Sequence, residues 1–176
     1  MNALIYSENS VMFGPSVLPG TNKSLQFAVA ARHRDNSEAE NLLWEARAED
    51  PTCLPVYFAL YKFYANCKKL DKAERAARLA LAESSRQAGV YSDWEKLSQD
   101  PNRHNLYNTE AGLFYLFSLK ALGFIKLRRQ HFEEAKSILG YLAQLDPEDR
   151  SGGSVVQGLA ESVGLSMKGD DDDGSD

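Results

Sequence analysis

Residues 57–81 read YFALYKFYANCKKLDKAERAARLAL, and this stretch decides the fold. It holds an apolar helical face, a polar break at Lys68-Lys69, and a second amphipathic run in which Ala73, Ala76, Ala77 and Ala80 recur. Residues three and four apart share one helix face, and small residues there let two backbones approach closely. The stretch therefore predicts two short antiparallel helices.

The same grammar extends outward in both directions. Upstream, Leu25, Phe27, Ala28, Val29, Ala30 and Ala31 suit a helix over 22–34. Ser37, with Glu40 three residues on, reads as a capping box opening a second helix that Asp50-Pro51 stops. Pro55 falls in the first turn of the helix running to about Cys67, and Asp71 reads as the cap of the next, to about Ser85. Downstream, Ser92 and Glu95 form a second capping-box pattern around Trp94, and 99–108 reads as a loop. From Thr109 a long helix follows that is apolar nearly all round and hence expected to be buried on several sides. An amphipathic helix spans Phe132 to Leu145, and Ser154 with Gln157 opens a last one carrying Val155, Val156, Leu159, Ala160 and Val163 on one face. No strand signal competes, so the fold class is all-α.

Composition narrows the function. The chain has 176 residues and a net charge of −5. Five aspartates at 170–173 and 176 account for that charge, leaving the body neutral and without the basic footprint of a nucleic-acid binder. No stretch has the eighteen or so consecutive apolar residues that suggest a membrane span, and residues 1–20 make a poor signal peptide, so a cytoplasmic location is expected. Cys53 and Cys67 form no CxxC pair; Cys67 reads as a small core hydrophobe and Cys53 as nearer the surface. His33, His104 and His131 are scattered, with no metal-ligand spacing, and no phosphate loop or nucleophile motif is present. Glu133-Glu134 reads as favouring a helix dipole rather than acid–base work. The expectation is a non-enzyme without cofactor or metal.

Two markers test whether the hairpins repeat. Ala39 and Ala73 stand 34 positions apart, and Ala135 lies 62 further on, one such period plus 28. Pro51 and Pro147 are 96 apart, which gives the same period and the same insertion. Paired helices, small contact residues and a closing proline at this period resemble the tetratricopeptide repeat (TPR). Tyr57, Leu60, Tyr64, Ala73 and Ala77 fall at its signature places; Lys23, Gln26, Phe27 and Ala30 do so weakly. Leu122-Gly123, Phe132, Ala135, Leu139 and Pro147 mark a third unit, with Lys126 in the tyrosine place. Tyr61 stands where the pattern wants a small residue.

The resemblance implies a right-handed helical-hairpin solenoid over 21–166: units at about 20–53, 54–87 and 116–149, an insertion at 88–115 and a capping helix at about 154–165. The insertion either packs on the array or lengthens its third unit. Residues 1–20 form an arm, packed or loose, and 167–176 a disordered acidic tail that solubilises the chain, meets a basic partner or covers the domain's own basic groove. In such arrays the first helices line a concave groove. Carried over, that groove holds Phe58, Lys62, Asn66, Phe117, Lys120, Phe124, Leu127 and Arg128. The resemblance thus implies an adaptor or assembly factor that binds a protein or peptide with apolar side chains and carboxylates. The same aromatics read equally well as core. The rivals are a fixed subunit of a larger complex, and an enzyme or ligand sensor using a pocket around Trp94.

Overall fold

The computed structural model describes residues 17–32 and 34–170, with the backbone alone from residue 164 onward. Four helices precede the insertion: α1 Pro19–Ala31, α2 Asn36–Glu49, α3 Leu54–Asn66 and α4 Leu70–Ala88. The insertion carries α5 Trp94–Ser98, a 3₁₀ turn Pro101–His104 and α6 Asn105–Asn108; α7 Glu110–Arg128, α8 Phe132–Leu145 and α9 Gly153–Asp170 complete the chain. There is no strand among the described residues. Neighbouring helices pair as α1 with α2, α3 with α4 and α7 with α8, while α4 also packs along α7 and α9 along α8.

Short turns set these pairings. Lys68 (φ 59°) ends α3 in the left-handed region, and Gln130 (φ 63°) ends α7 the same way. The Lys69 N–H donates to the Tyr64 carbonyl at 2.9 Å and that of Lys68 to Ala65 at 3.2 Å. The equivalent pair after α7 runs from His131 to Lys126 at 3.0 Å and from Gln130 to Leu127 at 3.0 Å. Both turns thus satisfy otherwise orphaned helix carbonyls in the same two-bond pattern.

A carboxylate, half-buried at Glu40 and buried at Glu74, ties α3 to α2 and α7 to α4. Tyr64 on α3 donates its hydroxyl to Glu40 on α2 at 2.9 Å and accepts from the Trp44 indole at 2.7 Å. Lys69 and Lys72 complete the coordination of Glu40 at 2.9 and 2.6 Å. In the next hairpin Lys126 stands in the tyrosine place and reaches Glu74 at 3.0 Å, with Arg78 at 2.9 Å and Arg129 on the other oxygen. Glu40 and Glu74 are 34 residues apart, each directly after the small alanine of its unit.

Steric fit also alternates. A Cβ on Gly123 would lie 2.8 Å from Leu139 Cδ2, so glycine lets α7 and α8 meet there without displacing that side chain. At the matching places of the second hairpin stand Tyr61 and Ala77, both buried. Large-on-small has become small-on-large, which answers the misplaced Tyr61 and conserves volume at the contact.

The insertion packs, since Leu97 and Leu106 are fully buried, α5 lies on α8, and the Tyr107 hydroxyl donates to the Leu145 carbonyl at 2.6 Å. The flanking helices α4 and α7 each reach 19 residues, and Ala88, Ala111 and Phe114 are buried with Leu54 in a satellite core.

Several local readings are corrected. Asp35, not Ser37, caps α2, accepting from the Ser37 and Glu38 N–H groups at 2.7 and 3.3 Å, which frees Glu40 for Tyr64. Asp93 rather than Ser92 caps α5 for the same reason, a shorter carboxylate reaching two N–H groups. Asp71 lies inside α4 and pairs with Arg129 at 2.6 Å. Residues 101–108 are helical rather than loop, because Asp100 caps the 3₁₀ turn and Leu106 anchors α6 in the core. Ser154 bonds Asp149 instead of its own helix, and α9 buries Val156 while Val155 stays 69% exposed. In α1 the buried stripe is Thr21, Leu25, Ala28 and Ala31; Lys23, Gln26, Phe27 and Ala30 face outward. The connection from α1 to α2 is four residues long, against three after α3. The cysteines exchange roles: Cys53 is buried and Cys67 half-buried. The helix persists to Asp170, four residues into the expected tail. Residues 1–16, most of the expected arm, lie outside the described residues, as do 171–176 and His33.

Candidate protein-binding face

Helices α3 and α7 are in contact, and each keeps one half-buried to exposed stripe outside the core. On α3 the stripe is Phe58, Lys62 and Asn66; on α7 it is Phe117, Lys120, Phe124 and Arg128. The spacing of three and four explains the stripe, because the intervening Leu60, Tyr64, Leu116, Leu119, Leu122 and Ile125 are drawn into the core.

Each aromatic on this face carries a cation one turn away. Lys62 Nζ lies 5.0 Å from the Phe58 ring centre, Lys120 Nζ 5.2 Å from Phe117, and the Arg128 guanidinium 5.8 Å from Phe124. On α1, Lys23 over Phe27 repeats the arrangement at 5.6 Å. Such pairs hold a long side chain against an apolar ring while leaving its charge near water. Phe58 and Lys62 stand 62 residues before Lys120 and Phe124, so at that spacing aromatic and cation change places between the two helices.

The electrostatics are those of crowded cations. Burial lowers the Lys62 ammonium pKa, and the Arg32 charge at the end of α1 lowers it further. Lys120 is lowered by burial and by Lys62, while Asp149 and Asp146 oppose the shift. The influence of Arg32 on Lys62 is one that sequence spacing did not reveal.

Of the eight expected site residues, Phe58, Phe117, Lys120 and Phe124 are half-buried, and Lys62, Asn66 and Arg128 are exposed. Leu127 is buried and belongs to the core instead. Arg128 spends one Nη on the Ala65 carbonyl at 3.1 Å, closing the C-terminus of α3, and Lys120 donates to the Ser151 carbonyl. These two thus fix the helices as well as charge the surface.

The other candidates for chemistry are accounted for by packing. Trp94 is partly buried against the main core. Burial pushes the Cys53 thiol up to about 11, so it stays protonated and a poor nucleophile at neutral pH. It borders a cavity of about 250 Å³ with Leu54, Gln87, Glu110 and Phe114. Glu134 pairs with Lys126 at 2.7 Å, and no cluster of metal-ligating side chains occurs among the described residues. Nor is any helix long and apolar enough to cross a membrane among them.

Comparison with known proteins adds one relative. The chain is 29% identical over 131 residues to an uncharacterized 19.8 kDa protein encoded in the nifW 5′ region of Azotobacter chroococcum mcd 1, covering 72% of each. No protein-family model matches the chain. No solved structure matches it either.

Proposed function

We propose that this chain is a small TPR-like adaptor or assembly factor that receives a segment of another protein on the α3–α7 face and catalyses nothing itself. The carrying observation is the alternating stripe of Phe58, Lys62, Lys120 and Phe124 on adjacent first helices. Aromatic anchors ringed by cations suit a segment that mixes apolar side chains with carboxylates. The repeat reading is supported by the Glu40 and Glu74 links and by the matching turns at Lys68 and Gln130, 62 residues apart.

The relative encoded beside nifW makes the nifW product the first defined partner to try. The test is affinity purification from the source cell with the unaltered chain and with Lys62→Glu/Phe124→Ala, both checked by circular dichroism. One specific partner, lost at least tenfold from the folded double variant, is expected. Equal recovery by both proteins would remove this face from the binding surface.

A further inference from the structure

One side chain joins the α3–α7 face to the connection between α8 and α9. Lys120, half-buried on α7 and placed over the Phe117 ring, donates from Nζ to the Ser151 carbonyl. That acceptor is itself held. In the loop 146–152, Asp149 (φ 52°) and Gly152 (φ 69°) take left-handed backbone, and the Gly152 N–H donates to the Asp149 carbonyl at 3.0 Å. Asp146, only 5% exposed, sets the loop from within. Its Oδ1 accepts from the Arg150 N–H at 2.9 Å and its Oδ2 from the Ser151 N–H at 2.8 Å. Both peptide groups flanking Ser151 are thus anchored through their N–H, and because a peptide is planar the direction of the Ser151 carbonyl is fixed with them. Asp149 carries the contacts on into α9, accepting from the Ser154 N–H at 3.0 Å.

From this geometry, and resting on the binding role proposed for the α3–α7 face, we infer that Asp146, acting through Ser151, is a positioning residue for Lys120. The α8–α9 connection is then part of the recognition face. An ammonium carries three N–H donors, and the Ser151 carbonyl takes one of them. The others remain for a carboxylate of the partner, at a position set before it arrives. A lysine stem left loose loses rotamer freedom on binding, whereas an anchored one has lost it already, so less of the contact energy goes into ordering. The loop also acts through charge. Asp149 and Asp146 oppose the lowering that burial and Lys62 impose on the Lys120 ammonium.

Acetylation of lysines with sulfo-N-hydroxysuccinimide acetate, read site by site by mass spectrometry, tests the positioning on the whole chain without a partner. Lys120 is expected to react more slowly than the exposed Lys62. Asp146→Asn replaces one of the two acceptor oxygens by a donor, and should raise the Lys120 rate about threefold or more while leaving Lys62 unchanged. Gly152→Ala, strained at its φ of 69°, should act in the same direction without touching Asp146. In the affinity purification above, Asp146→Asn should recover about a third or less of the partner. Lys120→Met/Asp146→Asn should recover no less than Lys120→Met alone, as expected of two residues acting through one contact. Unchanged Lys120 acetylation in both loop variants, each shown folded by circular dichroism, would overturn the positioning. Faster acetylation with undiminished recovery would overturn the role in recognition. Equal recovery by Lys62→Glu/Phe124→Ala would trace that second failure to the face itself.

Discussion

At the scale of single residues, two glycines separate kinds of close packing. A Cβ on Gly112 would fall 2.4 Å from the Leu106 carbonyl oxygen, backbone that cannot turn aside, whereas on Gly123 it meets only the end of Leu139. Gly112→Ala is expected to cost about 2–3 kcal/mol and Gly123→Ala clearly less, as urea unfolding would measure. The cysteines give a kinetic counterpart. With its thiol held up to about 11, buried Cys53 should react with a thiol reagent at pH 8 far more slowly than half-buried Cys67. Equal rates would mean that the α3 N-terminus opens readily.

At the scale of helices, the Glu40 and Glu74 links hold successive hairpins in register. Lys72, then Lys69 and Tyr64, hold the Glu40 carboxyl down at about 2 against an ordinary 4.5. A carboxylate depressed in the folded state stabilises above its unfolded value and loses that contribution as pH falls. Stability should therefore decline between about pH 5 and pH 2, and Glu40→Gln should flatten that decline by about 2 kcal/mol after allowance for solvent screening. Lys126 with Glu74 is the more buried link, and Lys126→Met should cost about 2–3 kcal/mol by leaving Glu74 with Arg78 and Arg129 alone. Lys126→Met/Glu74→Met should recover part of that loss, which a double-mutant cycle would quantify.

For the whole molecule, one main core runs from Leu25 on α1 to Val156 on α9, and the insertion contributes Leu97 and Leu106 to it. Leu97→Ala and Leu106→Ala should each cost about 2–4 kcal/mol, a loss expected of core rather than of an appended loop. Unfolding followed in the near and far ultraviolet should superimpose; separate transitions would detach 88–108 from the cooperative unit.

How much of this was legible in the sequence follows from range. Helix existence and the pairing of neighbouring helices depend on residues three and four apart and on stops such as Pro51 and Pro147, and apolar spacing carries them openly. Seven of the eight site residues lie on exposed or half-buried surface for the same reason, since the core stripe fixes its complement. Caps were misread where two acceptors stood close together, as at Asp35 and Ser37, because the choice depends on what else the second residue can reach. Only the tertiary structure decided that Glu40 serves Tyr64, that Lys126 closes on Glu74, that the Arg32 charge acts on Lys62, and that Arg47 rests on two rings. These join residues on different helices. Their energies depend on burial and on the neighbouring charge, which local periodicity does not encode.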